Sequence, residues 1–246
     1  MSIMLVAAAV CPCPPLLVPE VAAGAAPELD ALREACTDAV GLLAASRPDR
    51  LVVVGPEDGA GSRAFPAGAR GGFRVFGVAL DVRLGLAPGA ADEPGTVAAD
   101  DAPLPPSLAV AAWLLRGWSA GETTGLAVGE ALDPGRCAAE GRAAAASAER
   151  VALLVMGDGS ACRTVKAPGY LDERAEDFDA ALSGALATAD ADALAGLDAA
   201  LAADLRVAGR APFQVLAGAA ADAHLGGQLL HEGAPYGVGY FVACWT

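Results

Sequence analysis

Residues 3–15 read IMLVAAAVCPCPP, an unbroken apolar run from Ile3 to Val10 that stops in a proline-locked turn carrying Cys11 and Cys13. A continuous apolar run of this length is what a strand buried on both faces requires, and that burial is the mark of a parallel sheet covered by helices. The prolines fix the backbone as it leaves the strand. In α/β proteins the ends of such strands are where chemistry is commonly placed.

The same signal recurs at Arg50 to Gly55 (RLVVVG) and at Arg150 to Gly157 (RVALLVMG). Between these runs the apolar spacing switches to that of helices. Leu29, Leu32, Ala35, Ala39, Leu42 and Leu43 form one helical face within 27–45. Further helices are expected at 107–118 with Ser107 as N-cap, at 134–149 opened by Asp133-Pro134, at 172–186, around 192–205 and at 210–221. Weaker strands are expected at 74–82, 125–129, 228–231 and 237–245. The stretch 84–106 is rich in Gly, Pro, Ala and Asp without periodicity and reads as a long loop. Strand–helix alternation of this kind predicts an α/β fold, a single domain over 1–246 with a central mostly parallel sheet flanked by helices.

Composition narrows the function classes. The 246 residues are 54% hydrophobic, enough for a sizeable core, and carry a net charge of −14. That charge argues against nucleic acid or an anionic membrane surface as partner. No apolar run approaches the roughly 20 residues of a membrane helix. The N-terminus has no basic segment ahead of its apolar run, so that run reads as a strand and not as a signal peptide. The six cysteines, in a chain this long and without a CxxC pair, fit neither a secreted disulfide framework nor a zinc knuckle; the expected compartment is the cytoplasm.

Five segments taken together carry a family resemblance: MLVAAAVCPCPPLLVPEV, LVVVGPE, LVMGDGSACRT, APGYLDERAEDFD and HEGAPYGVGYFVA. In this order and spacing the chain resembles the catalytic chains of the class III extradiol ring-cleavage dioxygenase superfamily, and within it the Memo-like branch. The resemblance implies a cleft at the strand ends. In catalytic members that cleft holds non-haem Fe(II) on two histidines and a carboxylate, with open positions for a catechol and dioxygen. A further histidine serves as acid and base near neutrality.

Carried over position by position, the resemblance puts Cys13 where the first histidine ligand stands and Glu57 where the second stands after Pro56. Ala161, after Gly157-Asp158-Gly159-Ser160, takes the place of the acid/base histidine. The late acidic position is kept as Glu232. The only histidines, His224 and His231, lie near the C-terminus. His231 and Glu232 are neighbours on an expected strand and so point to opposite faces.

The surviving groups admit several readings. Cys11 and Cys13 can be space-filling thiols at a strand end, ligands of a soft metal site with Glu57 and Glu232, or reactive thiols. Glu57, Asp58 and Asp158 cluster if the strand ends converge, as ligands of a hard cation or as solvated loop acids. The Gly157–Ser160 loop lacks the lysine of a phosphate loop, and its acidic neighbours would repel phosphate. Arg163 can hold a carboxylate or phenolate, or form a surface ion pair, and Tyr236 can line the cleft or simply pack.

The expectation is a dioxygenase-like protein that has lost its iron site and binds a small molecule or a protein, with no cofactor and with a homo-oligomer possible. The alternative is a metal-dependent oxygenase or hydrolase, using zinc or iron on Cys13, Glu57 and Glu232.

Overall fold

The computed structural model describes residues 4–85 and 102–246. β1 (Met4–Cys11) leads through a short turn into α1 (Pro19–Ala22) and then α2 (Asp30–Ala45). α2 buries Leu32, Ala35, Cys36, Ala39 and Leu43, the helical stripe expected from the sequence. β2 (Arg50–Glu57) follows.

The chain then builds three short strands, β3 (Ser62–Phe65), β4 (Arg70–Gly72) and β5 (Asp81–Arg83). The expected strand at 74–82 does not form. Gly77 takes a left-handed φ of 82° after a helical turn at Arg74–Phe76, so the chain reverses, and β4 and β5 pair as a small separate hairpin.

Of the expected loop at 84–106, residues 86–101 lie outside the described residues. α3 (Pro106–Leu114) starts with proline in its first turn. Ser107 does not cap it; its hydroxyl donates to the Pro56 carbonyl at 2.7 Å and ties the helix start to the end of β2. Gly55 is needed there, because a Cβ on it would sit 2.7 Å from Ser107 Oγ.

Beyond α3 come β6 (Glu122–Gly129), α4 (Pro134–Ala145), β7 (Arg150–Met156) and α5 (Arg174–Thr188). Asp133 caps α4 by accepting from Gly135 N at 2.9 Å and Arg136 N at 3.2 Å. The helix expected around 192–205 is split into α6 (Ala191–Ala195) and α7 (Ala199–Asp204). Gly196 closes the first, and Asp198 starts the second by accepting from Ala200 N and Leu201 N. The chain ends with α8 (Arg210–Ala220), β8 (Gly227–Gly233) and β9 (Tyr240–Trp245).

One seven-stranded sheet, in the order β3-β6-β2-β7-β1-β9-β8, organises these elements. Its centre, β6-β2-β7-β1, is parallel, and antiparallel strands flank it on both sides. The central strands are the ones whose apolar runs are continuous, as burial on both faces demands. α2 and α3 cover one face over Ala7, Ala9, Cys11, Val53 and Leu154. α4, α5 and α8 cover the other over Ala8, Val10, Val54, Leu153 and Val155. The fold is therefore α/β with a mostly parallel central sheet between two helical layers, and all four parallel strands end at the same edge. Among the described residues no helix is long and apolar enough to cross a membrane.

Candidate functional site

The parallel strands deliver their following turns to one edge of the sheet. β1 delivers Cys11-Pro12-Cys13, β2 delivers Glu57 and Asp58, β6 delivers Glu130, and β7 delivers Gly157 to Ser160. β9 runs antiparallel to β1, paired as far as Val10 with Ala243, and starts at Tyr240 on the side where β1 gives way to the turn carrying Cys13. Cys13 and Tyr240 both belong to the core layer on the α2 and α3 face.

Asp158 and Cys13 form the centre of this group. The Cys13 N–H donates to Asp158 Oδ1 at 2.8 Å. No cation bonds Asp158 among the described residues. Burial pushes its carboxyl up to about 7, against the lowering effect of the Cys13 N–H. The Cys13 side chain is only 8% exposed. Burial raises its thiol well above the ordinary range, and the carboxylates of Asp158 and Glu130 raise it further. Glu130 is itself raised by burial and by Asp58, with Arg210 acting the other way. Tyr240 is raised by burial first and then by Asp158 and Cys13, so its phenol stays protonated.

The result is an acidic band across the strand ends: Asp58, Glu130 and Asp158, with a protonated thiol and a phenol beside it. Arg210 does not neutralise the band freely. Its guanidinium is spent on the carbonyls of Glu130 and Leu132 and on Gln214 Oε1.

A second network holds the Gly157–Ser160 loop in place. Asp179, fully buried on α5, accepts from Ser160 N at 2.8 Å and pairs with Arg163 Nη1 at 3.0 Å. Burial raises its carboxyl, opposed by those two partners. Gly159 and Gly239 lie flat against it; a Cβ on either would collide with the carboxylate. Gly159 N–H donates to the Gly239 carbonyl at 2.8 Å and Gly239 N–H to the Ser160 carbonyl at 2.9 Å. The glycine-rich closing segment thus clasps the loop.

Several expected site residues are used elsewhere. Ser160 is fully buried, its hydroxyl donating to the Leu205 carbonyl and accepting from Cys162 N. Cys11 faces the core, where a hydrogen bond with Cys36 and then burial raise its thiol. Arg163 is committed to Asp179, and the Tyr236 hydroxyl donates to Glu28 Oε2 at 3.0 Å beside a cavity of about 430 Å³ lined by Thr164 and Lys166. Ala161, where the resemblance expects an acid/base histidine, is buried and offers only a methyl group.

The metal set Cys13, Glu57 and Glu232 is not brought together. Glu57 turns toward β3 and pairs with Arg63 at 2.7 Å. Glu232 sits on edge strand β8, where Ser183 Oγ of α5 donates to it at 2.7 Å. β8 is four strand positions from β2, about 19 Å at the usual strand spacing. Among the described residues no group of three or more His, Cys, Asp or Glu side chains is placed to hold one metal ion. The donors near the end of β1, the Cys13 thiol and the carboxyls of Asp158 and Glu130, include no imidazole and so differ from the two-histidine, one-carboxylate set of a non-haem iron centre.

Glu130, Tyr240 and Asp179 were not singled out by the sequence. Asp179 had a readable signal, since it falls at a position that the spacing Ala175, Phe178, Leu182, Leu186 reserves for the buried face of α5. Tyr240 and Glu130 join the site through strand order, for which no local signal exists.

Fold and site together define an α/β protein with its polar groups at the carboxyl ends of parallel strands. No family model and no curated protein matches the chain. Among solved structures it is similar to the uncharacterized protein JW3007 from Escherichia coli K12, with a TM-score of 0.54 and 14% identity over 98% of this chain and 99% of that one. At that identity the likeness is one of fold.

Proposed function

We propose that the chain is a homologue of the catalytic chains of the class III extradiol dioxygenases, of the Memo-like branch, that has given up ring cleavage and uses the cleft at its strand ends to bind a small molecule in the cytoplasm. The observation that carries the reading is the fate of the first two ligand positions. Cys13 is packed into the core at 8% exposure, and Glu57 is turned away onto Arg63. With Ala161 in the third position, the groups needed to hold Fe(II) and to move protons on a catechol are missing together.

Small-molecule binding is favoured over nucleic acid or an anionic membrane by the net charge of −14 and by the acids at the strand ends. The test is metal analysis of protein purified without chelators, with oxygen consumption measured on a catechol after reconstitution with Fe(II). The expected result is sub-stoichiometric iron and no catechol-dependent oxygen uptake. Stoichiometric iron with ring cleavage would overturn the reading.

A further inference from the structure

The acids at the strand ends are only partly balanced: Arg210 acts on Glu130, and nothing positive acts on Asp158 among the described residues. Asp158 meets no cation among the described residues, and its one hydrogen bond there, from Cys13 N–H, occupies Oδ1 alone. Glu130 stands close enough to Asp58 and Cys13 to interact electrostatically with both. An acidic group of this kind is often no more than a solvated loop. Here a second feature separates it from one.

Tyr240 is 3% exposed, yet its hydroxyl makes no hydrogen bond among the described residues. It shares with Cys13 the core layer on the α2 and α3 face of the sheet, with Asp158 and Cys13 both acting on it. Its hydroxyl is also absent from the side-chain atoms sealed from solvent without a partner, which are Trp113 Nε1, Trp118 Nε1, Thr123 Oγ1 and Ser147 Oγ. The phenol is therefore packed along its ring and open at its oxygen. A buried tyrosine ordinarily satisfies that oxygen within the protein. A tyrosine that leaves it free beside an uncompensated carboxylate presents a hydrogen-bonding pair to something from outside.

The chemistry of that pair selects the occupant. An anion is repelled by Asp158 and Glu130. A metal dication needs several oxygen or sulfur donors converging within about 2.5 Å, and the described residues bring no such set together. An alkylammonium head needs only one carboxylate and one or two neutral acceptors, arranged around three N–H donors.

We propose that the strand-end cleft recognises a small ligand bearing a protonated amine, with the ammonium on Asp158 Oδ2 and the Tyr240 hydroxyl oxygen, and with Glu130 supplying longer-range attraction. This rests on the reading of the cleft as a small-molecule site, and it names the class of molecule.

The test is ligand-observed and protein-observed NMR of the full chain at pH 7.5. The probes are benzylamine, tyramine and putrescine, with benzyl alcohol and benzoate as matched neutral and anionic controls. At least one amine is expected to bind while its neutral and anionic controls do not. Asp158→Asn, which keeps an acceptor for Cys13 N–H, is expected to weaken amine binding by about tenfold or more. Tyr240→Phe is expected to weaken it by a smaller factor, and because it deletes only an unbonded hydroxyl it remains a usable variant if Asp158→Asn fails to fold.

Equal binding of amine and alcohol, preference for benzoate, no response to any of the three amines, or amine affinity unchanged in the two variants would each overturn the proposal. These outcomes are separate from iron content and oxygen uptake. An iron-free, inactive protein that ignores amines refutes this inference and leaves the loss of ring cleavage standing.

Discussion

Replacing Asp158 by asparagine should make the protein more stable at alkaline pH while leaving it unchanged in acid. In the fold the Asp158 carboxyl titrates at about 7 instead of the ordinary 3.8. The folded protein therefore keeps a proton that the unfolded chain releases, and stability falls as the pH rises from about 4 to about 7, then levels off. The difference between the two values corresponds to about 4 kcal/mol if the group were wholly sealed from water. Asp158 is half-buried and still touches solvent, and about 2 kcal/mol is the reasonable expectation after screening.

Asparagine has no proton to lose, matches the protonated acid in shape, and keeps a carbonyl for the Cys13 N–H. Urea denaturation at pH 3, below the ordinary carboxyl value of 3.8, and at pH 8 should give equal stabilities in acid. At pH 8 the variant should be more stable by about 2 kcal/mol, seen in a thermal scan as about 4–8 °C. A difference that does not depend on pH, or a variant less stable at pH 8, would show that Asp158 is compensated by a partner in the fold.

The remaining predictions concern the scaffold and the thiols. Asp179→Ala should cost about 3 kcal/mol in denaturant unfolding, because it strands the Ser160 N–H and the Arg163 guanidinium together; a loss below about 0.5 kcal/mol would refute the anchoring role. Gly141→Val should cost at least about 1–3 kcal/mol, since a Cβ there meets the Val215 carbonyl where α4 crosses α8. Gly184→Ala, in α5 with open space around it, should instead gain up to about 1 kcal/mol in the same assay. All six cysteines are free and buried, so a disulfide colour reagent at pH 7.4 should react slowly with the native protein and release six thiols once guanidinium is added; rapid labelling of Cys13 in the native state would contradict its raised thiol.

The sheet could be read from the sequence where its physics is local. Ile3 to Val10, Arg50 to Gly55 and Arg150 to Gly157 are apolar throughout because both faces of a central parallel strand are covered, and the helices between them carry period-3.6 stripes for the same reason. The short strands β3, β4 and β5 are exposed or half-buried and rich in small or charged residues, so no burial pattern marks them. The site was legible only in part. Cys13 and Asp158 stand at the ends of obvious strands, and their meeting follows from β1 and β7 being neighbours in the sheet. Glu57 stands at an equally obvious strand end, yet its direction was decided by Arg63 on a strand that the sequence does not advertise. Glu232 was expected in the cleft from its motif, and the strand order carries it to the far edge.

What links the substituted ligand positions to the amine proposal is charge. A cleft built around a divalent cation tolerates carboxylates at its rim because the metal balances them. On the proposed reading, cysteine, glutamate and alanine stand at the three positions and no imidazole remains there, but the acids do. Arg210 offsets only Glu130, nothing positive acts on Asp158 among the described residues, and burial holds the protons: Asp158 titrates at about 7, and Cys13 and Tyr240 are kept neutral. Such a site is least stable in the alkaline range, where Asp158 must ionise. A bound ammonium would remove that cost and draw the acid constant of Asp158 back down. Amine binding should therefore release a fraction of a proton per site near pH 7, and calorimetric titration in two buffers of different ionisation enthalpy would register it. The same titration on Asp158→Asn should show no such release. A buffer-independent heat in the wild-type protein would mean that the ligand, if it binds, is not balanced by Asp158.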